Sequence, residues 1–331
     1  MRPLTVAVLG ATGAVGRQML AVLEERGFPL GRLLPLAGRA DGRTVPFRGA
    51  ALPVLAAEEQ DFAGVDLVLG AVSAALARHY APRIRAAGAL FVDNSSAFRL
   101  DPDVPLAVPE INGADVRRHH GLIASPNCST IIALTAVSAL ARLSPLVSLR
   151  ACTYQGVSGA GERGLRALAG ELRGEAPDGV FPCPIAKNVI PHIGGDGPDG
   201  VTDEERKLRD EGRRILHRPG LAVDCTCVRV PVERCHSIAL SVRTEDDIPP
   251  AQAAAAIGSA PGCRLAAFAG RDYPTPLDVA CQDLVYVGRL RRDPTQTHAL
   301  SLWCCGDQLR KGAATNAVQL AELALLPGAD A

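Results

Sequence analysis

Cys128 lies in the segment Pro126-Asn127-Cys128-Ser129-Thr130, which leads into an apolar stretch with helical spacing. Asn127 and Ser129 are residue types that cap helices, and no helix breaker follows until Pro145. The unpaired N–H groups and the dipole at a helix N-terminus stabilise an anion, so we expect a lowered thiol pKa at Cys128. This makes Cys128 a candidate nucleophile. The alternative is a small buried cysteine, which is a common role of this residue type.

Further segments carry side chains suited to thiol chemistry on an acidic substrate. Arg229 and His236 put a guanidinium and an imidazole on one strand-turn segment, and cysteine with histidine is an arrangement used in nucleophilic catalysis. Gln155 leads from a predicted strand into a glycine-rich turn, where its amide could bind an acyl group. Glu204 and Lys207 share one face of a predicted helix. Taken singly, each of these residues also fits an ordinary structural role. His236 fits a hydrogen-bonded core histidine and Gln155 a loop glutamine. Glu204 and Lys207 fit a surface ion pair.

A glycine-rich turn near the N-terminus is typical of dinucleotide-binding domains. Residues 4–9 predict a buried strand, and Gly10, Gly13 and Gly16 follow it where a helix to about Arg26 begins. A strand, a glycine turn and a helix in this order place a pyrophosphate on the helix N-terminus. The spacing G-x-x-G-x-x-G is a variant of the usual motif, and a purely structural turn is the alternative.

The second predicted strand, 33–37, ends at Gly38 and Arg39. NAD-specific domains usually present Asp or Glu to the ribose hydroxyls at this point, whereas arginine suits a 2′-phosphate. We therefore expect NADP as the cofactor. The alternative is that Arg39 is a solvated loop charge.

A polar segment, 93–99, closes the predicted strand 90–94 at its carboxyl end, the edge where parallel sheets bind ligands. Its hydroxyl groups and Arg99 suit an anion. An ordinary polar turn is the alternative.

The order of the predicted elements indicates two domains. Residues 1–126 alternate strands with helices, which predicts a Rossmann-like, doubly wound parallel sheet. Residues 127–310 group their strands, which predicts an α+β domain with a mostly antiparallel sheet. Residues 311–331 are expected to add a last helix to the first domain. The strands of the second domain are predicted at 146–154, 223–231, 237–244, 284–291 and 299–305, and its helices at 161–174, 202–216 and 250–257.

The composition argues against several functional classes. The 331 residues contain 35 Lys+Arg and 35 Asp+Glu, so no net positive charge favours nucleic acid. No apolar run approaches the roughly 20 residues that span a membrane, and a strand-like run at the N-terminus leaves no room for a secretory signal, so we expect a cytoplasmic protein. The ten cysteines are then expected to be reduced thiols. Because no C-x-x-C occurs, we expect no metal site.

Several motifs, in order along the chain, resemble those of aspartate-semialdehyde dehydrogenases. No single motif is specific, but the combination extends from the first predicted strand to the last helix. The motifs are Gly10-Ala-Thr-Gly-Ala-Val-Gly16, Asp93-Asn-Ser-Ser-Ala-Phe-Arg99, Pro126-Asn-Cys-Ser-Thr130, Gln155-Gly-Val-Ser-Gly-Ala-Gly161, Arg229-Val-Pro-Val with His236-Ser237, and Lys311-Gly-Ala-Ala-Thr-Asn316.

The resemblance implies a catalytic role for four positions. Cys128 would form an acyl thioester, and His236 would be the general acid/base that activates it. Gln155 would orient the intermediate, while Asn127 and the amides at the helix start would stabilise the oxyanion.

The resemblance also implies ligand contacts. Arg229 would bind the substrate α-carboxylate in a bidentate fork, Glu204 would face the α-amino group, and Arg99 and Lys207 would hold the phosphate. The NADP site would be lined by Gly10, Thr12, Gly13, Ala14, Val15, Gly16, Gly38, Arg39, Ser158, Gly159 and Asn316.

The reaction that the resemblance implies is reductive dephosphorylation of L-aspartyl 4-phosphate to L-aspartate 4-semialdehyde, within lysine, threonine and methionine synthesis. It also implies a homodimer or a homotetramer.

Three alternatives remain. N-acetyl-γ-glutamyl-phosphate reductase uses the same chemistry, but an acetylated nitrogen carries no positive charge for Glu204 to meet. A non-catalytic NADP-binding paralogue would usually lose the thiol or the imidazole, and both are present. A cysteine hydrolase needs no dinucleotide, so this function would not account for the glycine turn at residues 10–16.

Overall fold

The structure, a computed structural model, describes residues 2–326 and 328. It divides into two compact units. One comprises the described residues up to Asn127 together with those from Ala313 onward, and the other is Cys128–Gly312. No helix in the described part of the chain is long and apolar enough to cross a membrane.

The first unit is built on a parallel sheet. Its strands are β1 (Leu4–Leu9), β2 (Leu30–Ala37), β3 (Thr44–Phe47), β4 (Ala50–Pro53), β5 (Leu55–Ala56), β6 (Leu67–Gly70), β7 (Leu90–Asp93) and β8 (Leu122–Ala124). Six of them form a sheet in the order β5-β2-β1-β6-β7-β8, in which every pairing is parallel. This confirms the predicted Rossmann-like fold. β3 and β4 form a separate antiparallel hairpin that the sequence analysis did not predict.

Helices α1 (Ala14–Glu25), α2 (Ala74–Ala86) and α3 (Pro109–Asn112) belong to the same unit. The apolar face of α1 packs into the core through Met19 and Leu23, as its spacing predicts. The helix Thr315–Leu325 contributes Val318 and Leu320 to this core.

The second unit is built on a mixed sheet. Its helices are α4 (Cys128–Leu143), α5 (Gly161–Leu172), α6 (Asp203–Ile215), α7 (Pro250–Ser259) and α8 (Pro276–Val279), and its strands are β9 (Leu146–Gln155), β10 (Ala222–Arg229), β11 (His236–Thr244), β12 (Cys263–Leu265), β13 (Val285–Arg292) and β14 (Ala299–Gly306). The strand order is β10-β9-β11-β14-β13-β12. The three central pairings are antiparallel and the two at the edges are parallel, which confirms the predicted, mostly antiparallel sheet. After β14, a π-helical turn, Arg310–Ala314, leads into α9 (Thr315–Leu325).

Two helices position candidate site residues. Residues 129–140 of α4 are buried without a break, so this helix is enclosed on every side and the surrounding core fixes the position of its first residue, Cys128. α6 begins with a capping box: the hydroxyl of Thr202 accepts the Glu205 N–H at 3.4 Å, and the Glu205 carboxylate accepts the Thr202 N–H at 2.8 Å. This cap fixes the turn that carries Glu204 and Lys207.

Candidate active site

Cys128 and His236 lie in contact. Cys128 is the half-buried first residue of α4, and its Sγ is 3.4 Å from Nε2 of His236. His236 is the fully buried first residue of β11, where it pairs with Gln155 of β9. The start of a helix and the start of a strand thus place a thiol beside an imidazole, which is the geometry of a nucleophile with a proton-exchanging partner.

His236 is neutral at physiological pH. Its burial, reinforced by the positive charge of Arg229, lowers the pKa of the imidazole to about 3, while the charge of Glu204 opposes this shift. The N–H of Gly156 donates a hydrogen bond to Nδ1 over 3.1 Å. The ring orientation is therefore set by the backbone on one side and faces sulfur on the other.

Arg229 and Glu204 are buried side chains of opposite charge near the imidazole. Arg229, the last residue of β10, donates from Nη1 to the Gly156 carbonyl at 2.8 Å. Burial lowers the pKa of this guanidinium, and the nearby carboxylate of Glu204 counteracts the shift. An arginine stays charged in such surroundings, so the site presents a planar cation that matches a carboxylate.

Gln155 and Lys207 both contact Glu204. The amide nitrogen of Gln155 donates to Glu204 Oε1 at 3.3 Å and to Thr153 Oγ1 at 3.2 Å. The ammonium group of Lys207 lies 3.0 Å from Glu204 Oε2, within a single turn of α6. The structure therefore brings these three residues into one polar cluster.

The glycine-rich turn after β9 approaches the same cluster. A Cβ at Gly159 would lie 2.7 Å from Nη1 of Arg229 and 3.4 Å from Cε1 of His236, so a larger residue here would displace the guanidinium. The neighbouring Ser158 accepts a hydrogen bond from the side chain of Gln308. Ser158 and Gly159 are both predicted to line the cofactor site, and here they also lie next to the residues that surround the thiol of Cys128.

Gln308 is a residue that the sequence analysis missed. Its side chain is buried, and its Oε1 accepts the N–H of Cys235 at 2.7 Å. Because its amide nitrogen also binds Ser158, it ties the glycine-rich turn to the residue that precedes His236. A polar residue after a strand is common, so no pattern in the sequence distinguishes this one.

Arg99 and Asn316 lie in the first unit and share a partner. Arg99 is buried and donates to the carbonyls of Ser125 and Asn94 at 3.0 and 2.7 Å. The amide of Asn316 donates to the hydroxyl of Ser125 at 3.0 Å and to the carbonyl of Ala107 at 3.2 Å. Ser125 therefore positions both side chains, a role that the sequence analysis did not assign. Asn127, in the same unit, is also buried.

The turn between β1 and α1 requires two of its glycines for steric reasons. Gly10 has a φ of +89°, and a Cβ there would lie 2.4 Å from the carbonyl oxygen of Ala71. A Cβ at Gly16 would lie 2.1 Å from the carbonyl oxygen of Gly10. Gly13 precedes α1, and no side-chain bond from the described residues caps this helix. A helix start of this kind can accept phosphate oxygens on its backbone N–H groups.

The other predicted cofactor residues surround the same turn or follow β2. Thr12, Ala14 and Val15 are partly exposed at the start of α1, and Gly38 and Arg39 are exposed directly after β2.

Metal ligands are not grouped in the described part of the chain. No cluster of three or more His, Cys, Asp or Glu side chains among the described residues could hold a metal ion. The ten cysteines, which all lie within that part, are free thiols.

Comparisons with known proteins point to one family over almost the whole chain. Residues 5–119 match the family model for the NAD-binding domain of semialdehyde dehydrogenases, and residues 138–311 match that for their dimerisation domain. Aspartate-semialdehyde dehydrogenase of Synechocystis sp. is 43% identical over 328 residues, which cover 97% of each chain. The Bacillus subtilis enzyme of the same name is 38% identical over 336 residues, again covering 97% of each chain. The crystal structure of aspartate semialdehyde dehydrogenase II from Vibrio cholerae complexed with ASA superposes with a TM-score of 0.95 at 39% identity, covering 99% of this chain and 100% of that chain.

Proposed function

The chain belongs to the aspartate-semialdehyde dehydrogenase family, and from this premise we propose that it converts L-aspartyl 4-phosphate to L-aspartate 4-semialdehyde and phosphate at the expense of NADPH. The observation that carries the proposal is the 3.4 Å contact between Sγ of Cys128 and Nε2 of His236 at the start of α4. A thiol so placed can form a thioester, which accepts hydride far more readily than a carboxylate does.

Cys128 is the proposed nucleophile. Its sulfur attacks the acyl carbon, the bond from carbon to the phosphate oxygen breaks, and phosphate leaves with the electron pair. Asn127 and the N–H groups in the first turn of α4 stabilise the oxyanion, while Gln155 orients the acyl group. His236 is the acid/base partner of the sulfur.

The charged residues each bind a different group of the substrate. Arg229 binds the α-carboxylate in a bidentate fork, and Glu204 faces the α-ammonium group. Arg99 and Lys207 bind the phosphate. The buried charge of Glu204 supports a free amino acid over an N-acetylated one, because an amide nitrogen carries no compensating charge.

The proposed cofactor is NADP, whose reduced form, NADPH, would supply hydride to the acyl carbon. The close packing at Gly10 and Gly16, and the helix start that follows Gly13, fit a pyrophosphate. Arg39, exposed at the end of β2, suits the 2′-phosphate. The residues proposed to hold the cofactor are Gly10, Thr12, Gly13, Ala14, Val15, Gly16, Gly38, Arg39, Ser158, Gly159 and Asn316.

We also propose a homodimer or a homotetramer that acts in lysine, threonine and methionine synthesis. The second unit corresponds to the dimerisation domain of the family. Its sheet carries Tyr154, which is 37% exposed, beside Trp303 with ring centroids 5.4 Å apart, a surface type common in interfaces. Light scattering on the purified protein measures the assembly, and a monomeric mass contradicts it.

A phosphate-dependent assay tests the activity. Purified protein with L-aspartate 4-semialdehyde and NADP⁺ should form NADPH only when phosphate or arsenate is present. No NADPH formation under these conditions overturns the proposal. Faster turnover of N-acetyl-L-glutamate 5-semialdehyde in the same assay would favour the acetylated substrate instead.

A further inference from the structure

The backbone directly before His236 has an unusual conformation. Cys235 has a φ of +77°, in the left-handed region that residues other than glycine rarely adopt. Its carbonyl accepts the N–H of Gly156 at 3.1 Å and also hydrogen-bonds the imidazole of His236. A residue keeps such a conformation only where its surroundings hold it. The contacts that hold Cys235 therefore also place the imidazole.

An ion pair anchors the residue before Cys235. Gly306, the last residue of β14, pairs with His236, the first residue of β11. Just beyond these paired ends, the carboxylate of Asp307 accepts a hydrogen bond from Nε of Arg234 at 2.5 Å. The contact between the two strands thus continues past their ends through side chains, and it fixes the turn that leads into His236.

The carboxylate of Asp307 is a rigid anchor. It is fully buried, its Oδ2 accepts the N–H of Cys281 at 2.7 Å, and its Oδ1 accepts the N–H of Leu309 at 2.9 Å. A carboxylate is stable in such a place only when it is paired and hydrogen-bonded, and both conditions are met here. Arg234 is therefore held against a group that two backbone segments keep in position.

We propose that Asp307 is a positioning residue for the acid/base chemistry of His236. It acts by holding Arg234, which keeps Cys235 in its left-handed conformation. The carbonyl of Cys235 in turn directs the imidazole at the sulfur of Cys128, which lies 3.4 Å from Nε2. The proposal rests on the proposed function only in naming His236 as the acid/base partner of this sulfur.

The acid/base step depends on this placement. When the sulfur attacks, the thiol proton passes to the imidazole of His236, and the carbonyl of Cys235 stabilises the imidazolium that results. If Arg234 is released, Cys235 can relax to an ordinary φ and carry its carbonyl away from the ring. The proposed contacts to the substrate amino and carboxylate groups come from side chains on α6 and β10, which this change leaves in place. The loss should therefore affect the rate of the chemical step and not substrate binding.

Steady-state kinetics of Asp307→Asn test the proposal. Asparagine keeps the size of the side chain but removes the charge that holds Arg234. We expect kcat to fall roughly 10- to 100-fold and the KM for the semialdehyde to stay within about twofold, because a small displacement of a reacting group can cost about 100-fold in rate. Asp247→Asn removes an exposed ion pair with Arg292 beyond the far end of β11, and this control should have the wild-type kcat. An unchanged kcat in Asp307→Asn, or a loss confined to KM, overturns the proposal.

Variants of Arg234 test the same contact without a substitution in the core. The side chain of Arg234 is 21% exposed, so we expect Arg234→Met to fold. It should lose as much kcat as Asp307→Asn, and Arg234→Lys should keep most of the rate because an ammonium group can still bind the carboxylate. The double variant Asp307→Asn/Arg234→Met should be no slower than either single variant, since both remove one contact. Losses that multiply would show that Asp307 does not act through Arg234, and the proposal would fail.

Alkylation of Cys128 by iodoacetamide, followed by mass spectrometry of its peptide, needs no turnover. Asp307→Asn should slow this reaction by roughly tenfold, a part of the about 10²–10⁴-fold that a positioned base contributes. In a His236→Ala background the same substitution should have no effect, because Asp307 acts through the imidazole. Equal slowing in both backgrounds would indicate a general structural role and contradicts the proposal. If the dehydrogenase assay fails while this dependence on His236 holds, the proposed reaction is wrong and the role of Asp307 stands.

Discussion

Gly159 leaves the space that the guanidinium of Arg229 occupies: a Cβ on residue 159 would lie 2.7 Å from Nη1. Gly159→Ala should therefore displace the guanidinium while it leaves the sheet intact. We expect the KM for the semialdehyde to rise roughly 10- to 100-fold, because a hydrogen bond to a charged group contributes about 1.5–3 kcal/mol. Steady-state kinetics measure the effect.

Gly258→Ala is the matched control for this substitution. Gly258 lies in α7, and a Cβ there would make an ordinary van der Waals contact, 3.5 Å from Cδ1 of Leu265 on β12. Its KM should equal that of the wild type. An unchanged KM in Gly159→Ala would mean that Arg229 does not hold the substrate in the orientation that we propose.

Cys128→Ala should abolish turnover because no other group can form the thioester. We expect the rate to fall roughly 10⁴-fold or more, as when the nucleophile of other covalent enzymes is removed. NADPH affinity, measured by fluorescence titration, should stay near that of the wild type. Cys183→Ala, at an exposed thiol, is the control and should remain active. If Cys128→Ala loses much less than 10⁴-fold of the wild-type rate, the thiol is not the nucleophile.

The sequence predicted the elements of the site better than their mutual geometry. The start of α4 at Cys128 was predictable because the cap-type residues and the apolar spacing are local signals. The contact of its thiol with His236 joins residues 108 positions apart, and only the pairing of β11 with β9 produces it.

Short elements escaped prediction for physical reasons. β3 and β4 contain Pro46 and Pro53, residues that usually argue against a strand, and they form an isolated hairpin outside the main sheet. β12 has three residues and lies at a sheet edge, so its sequence is too short for a period to appear. The five strands of eight or more residues in the second unit lie within two residues of their predicted bounds, because their length lets the alternation of side chains appear in the sequence.

Arg39→Ala tests the choice of cofactor. Loss of the guanidinium should raise the KM for NADP⁺ roughly 10- to 100-fold, while the KM for NAD⁺ should change little because NAD⁺ has no 2′-phosphate. Kinetics with both cofactors measure the difference. Arg32→Ala is the control, because Arg32 is also exposed on β2 but lies away from its carboxyl end. Equal losses with both cofactors would contradict a contact with the 2′-phosphate.

The buried imidazole of His236 should make the free energy of unfolding depend on pH. Its pKa in the folded protein is about 3, below the ordinary value of about 6.5 that applies in the unfolded chain. Between these values the unfolded chain binds the additional proton, so stability falls as the pH decreases, by about 1.4 kcal/mol per pH unit. Above about pH 6.5 the contribution is constant.

Urea denaturation of the wild type and His236→Asn at about pH 7.5 and pH 5 measures this effect. The variant lacks the titrating group, so the stability advantage of the wild type should shrink by roughly 2 kcal/mol at the lower pH. A stability difference for His236→Asn that is independent of pH would show that the imidazole is not held neutral in the fold.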